Sequence, residues 1–214
     1  MKNKIILSSV TLLSAFILAA CGNGEKKATE TTTASTTKAQ TTTPGSSSGA
    51  KEISLADTQR IGNENFGYIN IPKDWVVYNF KAQSSKTQSS KTLKYSSPDK
   101  HNMLLMESNT KDTVELGPNE TFDAELLANR LYSSFGKHKN RTSIEGVKAK
   151  PKFAGEDAFL IKVTFKNGNI LYEWVFQKGD KVYNITIVGS EDMIKALRPI
   201  FEQSFGLDPN TPGQ

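Results

Sequence analysis

Between residues 154 and 189 apolar side chains recur at alternate positions in three successive runs, separated by Asn167-Gly168 and Gly179-Asp180. Period-two alternation predicts strands with one buried face, and Asn-Gly is the strongest short-range signal for a two-residue type I′ hairpin turn. With Asn167 and Gly168 at the tip, Phe165 falls opposite Ile170, Val163 opposite Tyr172, Ile161 opposite Trp174 and Phe159 opposite Phe176. The other face then pairs Lys162 with Glu173, an opposite-charge cross-strand pair, whereas a slip of one residue sets Lys162 against an apolar side chain. The second turn places Tyr183 beside Phe176, Ile185 beside Trp174 and Ile187 beside Tyr172. So apolar a sheet face needs a cover.

The rest of the pattern supplies one. Phe66-Gly67-Tyr68-Ile69-Asn70-Ile71 reads as a short strand, Pro72-Lys73-Asp74 as a turn, and 75–80 as the returning strand. Residues 92–96 and 102–108 predict two more strands around Ser97-Pro98-Asp99. Over 121–135 Phe122, Leu126, Leu127, Leu131 and Phe135 recur at helical spacing, with Asp123 and Glu125 near the start and Gly136 where a left-handed terminating residue belongs. A strand over 142–150 leads into the central meander. Ser190 caps a last helix with the apolar stripe Met193, Ile194, Leu197, Ile200 and Phe201, and Pro199 predicts a kink or a break near 195–198. The tail beyond Leu207 is expected to be loose. The fold class expected is α+β: an antiparallel sheet of about six strands sandwiched with helices.

Ahead of this domain the pattern changes. Lys2 and Lys4 precede an apolar run over 5–20, the arrangement of a secretory signal and shorter than a transmembrane span. The run ends in Leu18-Ala19-Ala20-Cys21-Gly22, which resembles the lipobox of bacterial lipoproteins, and the only cysteine of the chain stands at the position that receives lipid. Two acyl chains on Cys21 give lasting attachment where one is marginal. From 22 to about 50 the chain is Thr, Ser, Ala, Lys and Gly with almost no large apolar residue, so it is expected to be a disordered tether. Counted to Thr58, flexible chain of this length reaches roughly 30 to 37 Å. The organisation expected is therefore a signal peptide over 1–20, lipidated Cys21 and tether over 21–58, a globular domain over 59–207 and a tail over 208–214.

Composition narrows the picture. At 214 residues with 36% hydrophobic side chains, a second full core is not expected. The net charge of +5 includes Lys2 and Lys4 in the segment expected to be removed, which leaves a balance too mild for a nucleic-acid footprint. A single cysteine excludes an internal disulfide.

Candidate chemistry is sparse. The chain has no Gly-x-Ser-x-Gly elbow, no His-Glu-x-x-His pair and no phosphate-cradling glycine loop. His101 and His138 sit in turn-like polar contexts and read as solvated side chains. Ser133-Ser134 has no evident base, and Asp112, Glu115 and Glu120 lack the alternation of a calcium loop. The repeat Gln-Ser-Ser-Lys-Thr within 83–92 reads as an expanded surface loop. Trp75 and Trp174 read as core, with a ligand pocket as the alternative. Two candidate contact surfaces remain. One is the polar face of the meander, with Lys162, Thr164, Glu173, Asn184 and Thr186, unless a helix covers it. The other is the basic cluster Lys137, His138, Lys139 and Arg141, which suits a helix C-terminus and also an anionic membrane or cell wall.

The aromatic-Gly-Tyr of residues 66–68, followed by Pro72 and Trp75, resembles the opening of the PsbP/Mog1-like fold found in many bacterial lipoproteins, and the likeness extends loosely to Phe205. The resemblance implies action mostly through protein contacts. The function expected is thus a non-catalytic binding or assembly module, lipid-anchored through Cys21 on the outer face of a bacterial, Gram-positive type of cell membrane. No cofactor, metal or nucleic acid is expected, and the partner is a protein or a cell-wall polymer. The alternative is a small-ligand carrier with an apolar pocket; a hydrolase comes last.

Overall fold

The structure is a computed structural model and describes residues 53–78, 92–148 and 152–213. The expected signal segment, Cys21, nearly all of the tether and the repeat within 83–92 lie outside the described residues. In chain order the elements are β1 (Thr58–Asn63), β2 (Gly67–Pro72), β3 (Val76–Val77), β4 (Thr92–Ser96), β5 (Met103–Asn109), α1 (Ala124–Gly136), β6 (Arg141–Lys148), β7 (Ala158–Phe165), β8 (Ile170–Lys178), β9 (Lys181–Gly189) and α2 (Glu191–Ser204). Seven strands form one antiparallel sheet in the order β3-β4-β5-β9-β8-β7-β6, one more than expected, and β1 and β2 form a separate hairpin. The α+β sandwich of the sequence reading is the architecture observed.

The meander forms as expected, with one of its two registers different. At the second turn Phe176 faces Tyr183, Trp174 faces Ile185 and Tyr172 faces Ile187, around a two-residue loop whose first residue, Gly179, has a φ of 64°. Positive φ at the first central position is what a type II′ turn requires. The first turn is longer by one residue. Phe165 N–H donates to the Asn169 carbonyl at 2.9 Å and Gly168, with a φ of 84°, occupies the left-handed position, the pattern of a three-residue loop closed by a glycine bulge. Leu160 therefore faces Trp174, Ile161 faces Glu173 and Lys162 faces Tyr172. The expected pairs Ile161 with Trp174 and Lys162 with Glu173 are corrected: a slip of one residue sends each partner to the opposite face.

Both faces of the sheet are covered. On one, Leu104, Met106, Leu160, Trp174, Phe176, Ile185 and Ile187 pack with the β1-β2 hairpin residues Ile61, Ile69 and Ile71, with Trp75, and with Leu197 and Phe201 of α2. On the other, Leu105, Ile161, Val163, Leu171, Val175 and Val182 pack with Leu127, Ala128, Leu131 and Phe135 of α1. The layers are α1, then the sheet, then α2 with the hairpin.

Several local expectations change for identifiable reasons. The partner of β2 is β1, not 75–80, because Asn63 Oδ1 accepts from the Asn65 and Phe66 amides and closes a tight turn there; β3 joins β4 instead. Asp123 caps α1 by accepting from Leu126 N at 2.7 Å. Gly136 is the last helical residue, not a left-handed terminator, since Lys137 after it stays right-handed and Arg141 Nε donates to the Gly136 carbonyl at 2.8 Å. α2 runs as one helix through Pro199. The proline and Lys195, whose carbonyl loses its intrahelical donor, are both exposed, so water can replace the missing bond. The segment after Leu207 is tied down: Arg60 Nη2 donates to the carbonyls of Asp208 at 2.7 Å and Thr211 at 3.3 Å.

Candidate docking surface

α1 ends over the sheet, and the four residues 137–140 return the chain to the edge strand β6, which opens at Arg141. The return and that first strand residue carry Lys137, His138, Lys139 and Arg141. Its shape is held by groups that leave the lysine ammoniums out of the accounting. His138 Nδ1 accepts from Asn140 N at 3.2 Å while its ring stands edge-on to buried Phe165, 5.5 Å between centroids. Arg141, half-buried, spends its Nε on the helix C-terminus. The Asn140 carbonyl accepts from Lys166 N at 2.8 Å, which locks this loop to the tip of the β7-β8 hairpin.

The lock adds Lys166 to the cluster. Lys137, Lys139 and Lys166 are exposed. The ion pairs of the described residues lie elsewhere: Arg130 with Glu120, Lys148 and Lys152 with Asp157, Lys178 with Glu156, Lys195 with Glu191, and Arg198 with Glu202. Three exposed ammoniums and the Arg141 guanidinium thus share one end of the domain. A convergence of like charge raises the local concentration of anionic partners and speeds encounter with them. Lys166 could not be assigned to the cluster from sequence, because its place depends on which loop the hairpin tip touches.

The six candidate contact residues do not form one surface. Lys137, Lys139 and Arg141 come together as described. Lys162 lies on the α2 side, its Nζ 6.0 Å from the Tyr172 ring, with Arg198 5.6 Å from the same ring. Glu173 and Asn184 are withdrawn from solvent, at 1% and 3% exposure, on the face that α1 covers. Thr186 is buried with them and Thr164 is half-buried on the Lys162 side. Burial pushes the Glu173 carboxyl well above the usual carboxylate range, and the neighbouring Glu107 charge adds to the shift.

Other candidates fall to structural roles. Trp75 and Trp174 are both core residues; Trp174 Nε1 donates to Glu202 Oε1 at 3.3 Å and its ring lies 5.2 Å from Phe153. Glu120 is engaged by Gly117 N and Arg130. His101, exposed, sits 3.5 Å from Asp99. Ser133 and Ser134 border an open groove of about 370 Å³ along α1 with Glu120, Arg130 and Lys137. A second open groove of about 350 Å³ is lined mainly by charged and polar side chains, among them Asp123, Glu125, Lys152, Glu156 and Asp157. Among the described residues no three His, Cys, Asp or Glu side chains gather as a metal site would require.

No protein-family model matches the chain, and no curated protein matches it. Among solved structures it is similar to cyanobacterial PsbP (CyanoP) from Synechocystis, with 13% identity over 75% of this chain and 95% of that one and a TM-score of 0.44. It is also similar to a Bacteroides thetaiotaomicron protein, 9% identical over 63% of this chain with a TM-score of 0.37, of which it spans 42%. A Pseudomonas aeruginosa protein of unknown function is 9% identical over 66% of this chain and 89% of that one, with a TM-score of 0.32.

Proposed function

We propose that this protein is a lipid-anchored extracytoplasmic binding module whose docking surface is the basic end formed by Lys137, Lys139, Arg141 and Lys166. The observation that carries the reading is the convergence of two loops, joined by the Lys166 to Asn140 backbone bond, on one set of cations that no carboxylate answers among the described residues. The partner chemistry that fits is an anionic cell-wall polymer or an acidic protein face. The lipobox-like segment ending in Cys21 supplies the anchor, and the Thr- and Ser-rich segment after it supplies reach. The resemblance to the PsbP/Mog1-like fold, whose members act mostly through protein contacts, points the same way. A carrier reading draws less support, since both tryptophans serve the core and the two grooves are open and rich in charge.

The test is crosslinking on intact cells, comparing the native chain with Lys137→Glu/Lys139→Glu/Lys166→Glu. The reversed chain is expected to lose at least tenfold of the captured material at unchanged surface level, and capture by the native chain is expected to fall with added salt. Equal capture by both chains refutes the assignment.

A further inference from the structure

Two side-chain acceptors on the α1 face of the sheet have no hydrogen-bond partner: Glu173 Oε2 and Asn184 Oδ1. They are neighbours. On β8 Glu173 stands opposite Thr186 of β9, and Asn184, two residues before Thr186, stands opposite Val175. Diagonal neighbours across an antiparallel pair lie about 7 Å apart at the backbone, within reach of a glutamate and an asparagine side chain. Glu173 is flanked on its own strand by Leu171 and Val175, both packed in one cluster with α1, so the carboxyl is directed into that apolar layer. Two unpartnered acceptors in a medium of low dielectric are costly to leave as they are.

The charges around the pair are few. From α1 the buried residues are Ala124, Leu127, Ala128, Leu131 and Phe135, and from β7 the opposing residue is Ile161; none of these ionises, while Tyr78, packed against the same layer, brings a phenol. From β5 comes Glu107, opposite Asn184, whose carboxylate accepts from Thr92 Oγ1 at 2.7 Å. From β4 comes Lys94, whose electrostatic partner is Glu107 and not Glu173. Among the described residues, the one charge that acts on the Glu173 carboxyl is that of another carboxylate, Glu107.

We propose that Glu173 and Asn184 share one proton: the Glu173 carboxyl carries it, donates it as an O–H hydrogen bond to Asn184 Oδ1, and forms a latch beneath α1 that opens when the proton leaves. One proton satisfies both orphaned acceptors. A metal ion fits less well, since hard cations take six or more oxygens, and here one amide, one hydroxyl and two carboxyls are offered, one of them already engaged.

The pH dependence follows in sign. Below about pH 4 the folded and unfolded chains both carry the proton, and Glu173 has no effect on stability. Above that the unfolded chain releases it while the folded chain retains it, so stability falls as pH rises, by roughly 3 to 5 °C of melting temperature per pH unit, until the folded carboxyl itself ionises.

The test uses the full chain in detergent and follows the Glu173 carboxyl carbon by NMR from pH 4 to 9, with melting curves of the native chain and Glu173→Gln. The native Glu173 signal should stay unchanged through the ordinary carboxylate range. Glu173→Gln, which keeps a donor facing Asn184, should equal the native chain near pH 4 and exceed it progressively above. Protection factors of the α1 amides, which discount the base catalysis of exchange, should fall at high pH in the native chain only. Titration of Glu173 in the ordinary carboxylate range overturns the proposal. So does a rise in melting temperature with calcium or magnesium that Glu173→Gln abolishes, which would make the site a metal site. Should Glu173→Gln fail to fold, the NMR titration of the native chain still decides.

Discussion

The register of the β7-β8 hairpin can be tested by energetic coupling, because the two possible registers give Trp174 different partners. In the structure Leu160 is opposite Trp174 and Ile161 points to the other face. Trp174→Phe keeps a ring among Phe153 and Tyr172 but removes part of a fully buried side chain and its bond to Glu202. The lost hydrogen bond is worth about 0.5 to 1.5 kcal/mol, and a partly filled cavity brings the total to about 1 to 3 kcal/mol. Leu160→Ala and Ile161→Ala each cost about 2 to 5 kcal/mol, since both side chains are buried. The individual costs do not discriminate between registers.

Their coupling does. Residues in contact deviate from additivity by about 0.5 to 3 kcal/mol, while independent sites add within roughly 0.5 kcal/mol. Leu160 with Trp174 is therefore expected to show a coupling above 0.5 kcal/mol, and Ile161 with Trp174 none that exceeds error. The measurement is urea unfolding of the single and double variants, in sucrose where a double variant is marginal. Coupling of Trp174 to Ile161 and not to Leu160 would refute the observed register and restore the two-residue turn.

Two further variants probe what holds the domain together and where it resides. Cys21→Ala is expected to move the protein from the membrane to the soluble fraction, checked by fractionation; retention on membranes at the mature size would refute lipid anchoring. Arg60→Ala removes the donors to Asn70, Ser204, Asp208 and Thr211, so it should cost about 1.5 to 3 kcal/mol and expose the segment after Leu207 to proteolysis; an unchanged cleavage pattern would show that the tail is held by something else.

Much of the fold was legible because its signals are local. The strands over 92–109, both long helices, the Ser190 cap and the Gly179-Asp180 register all follow from periodicity and from residues a few positions apart. The first hairpin turn was misread for a definite reason: Asn167-Gly168 serves a two-residue I′ turn and a three-residue bulged loop equally well, since both want a glycine of positive φ. The Lys162 and Glu173 charges then lent the wrong register false support. Lys162 does have an acidic cross-strand neighbour, Glu145 of β6, but nothing local announces it. β1 offered one apolar residue that ends up buried, Ile61, and so no alternation to read. The tail was illegible because its tether is a guanidinium 148 residues earlier in the chain.

The polar face of the meander was a contact surface only if no helix covered it, and α1 covers it. Strand β8 runs Ile170-Leu171-Tyr172-Glu173-Trp174-Val175-Phe176, apolar on both sets of alternate positions except at Glu173. A strand buried on both faces reads as a nearly continuous apolar run, and Leu171 and Val175 share the supposed polar face with Glu173. Taken as a whole, the run places the acid in the core. A lone carboxyl in such a run must be paired with a cation or held neutral. Because no cation among the described residues is directed at Glu173 while Lys94 answers Glu107, the second condition is the one this sheet meets, and the residue that looked like part of a contact surface belongs instead to the device that seats α1.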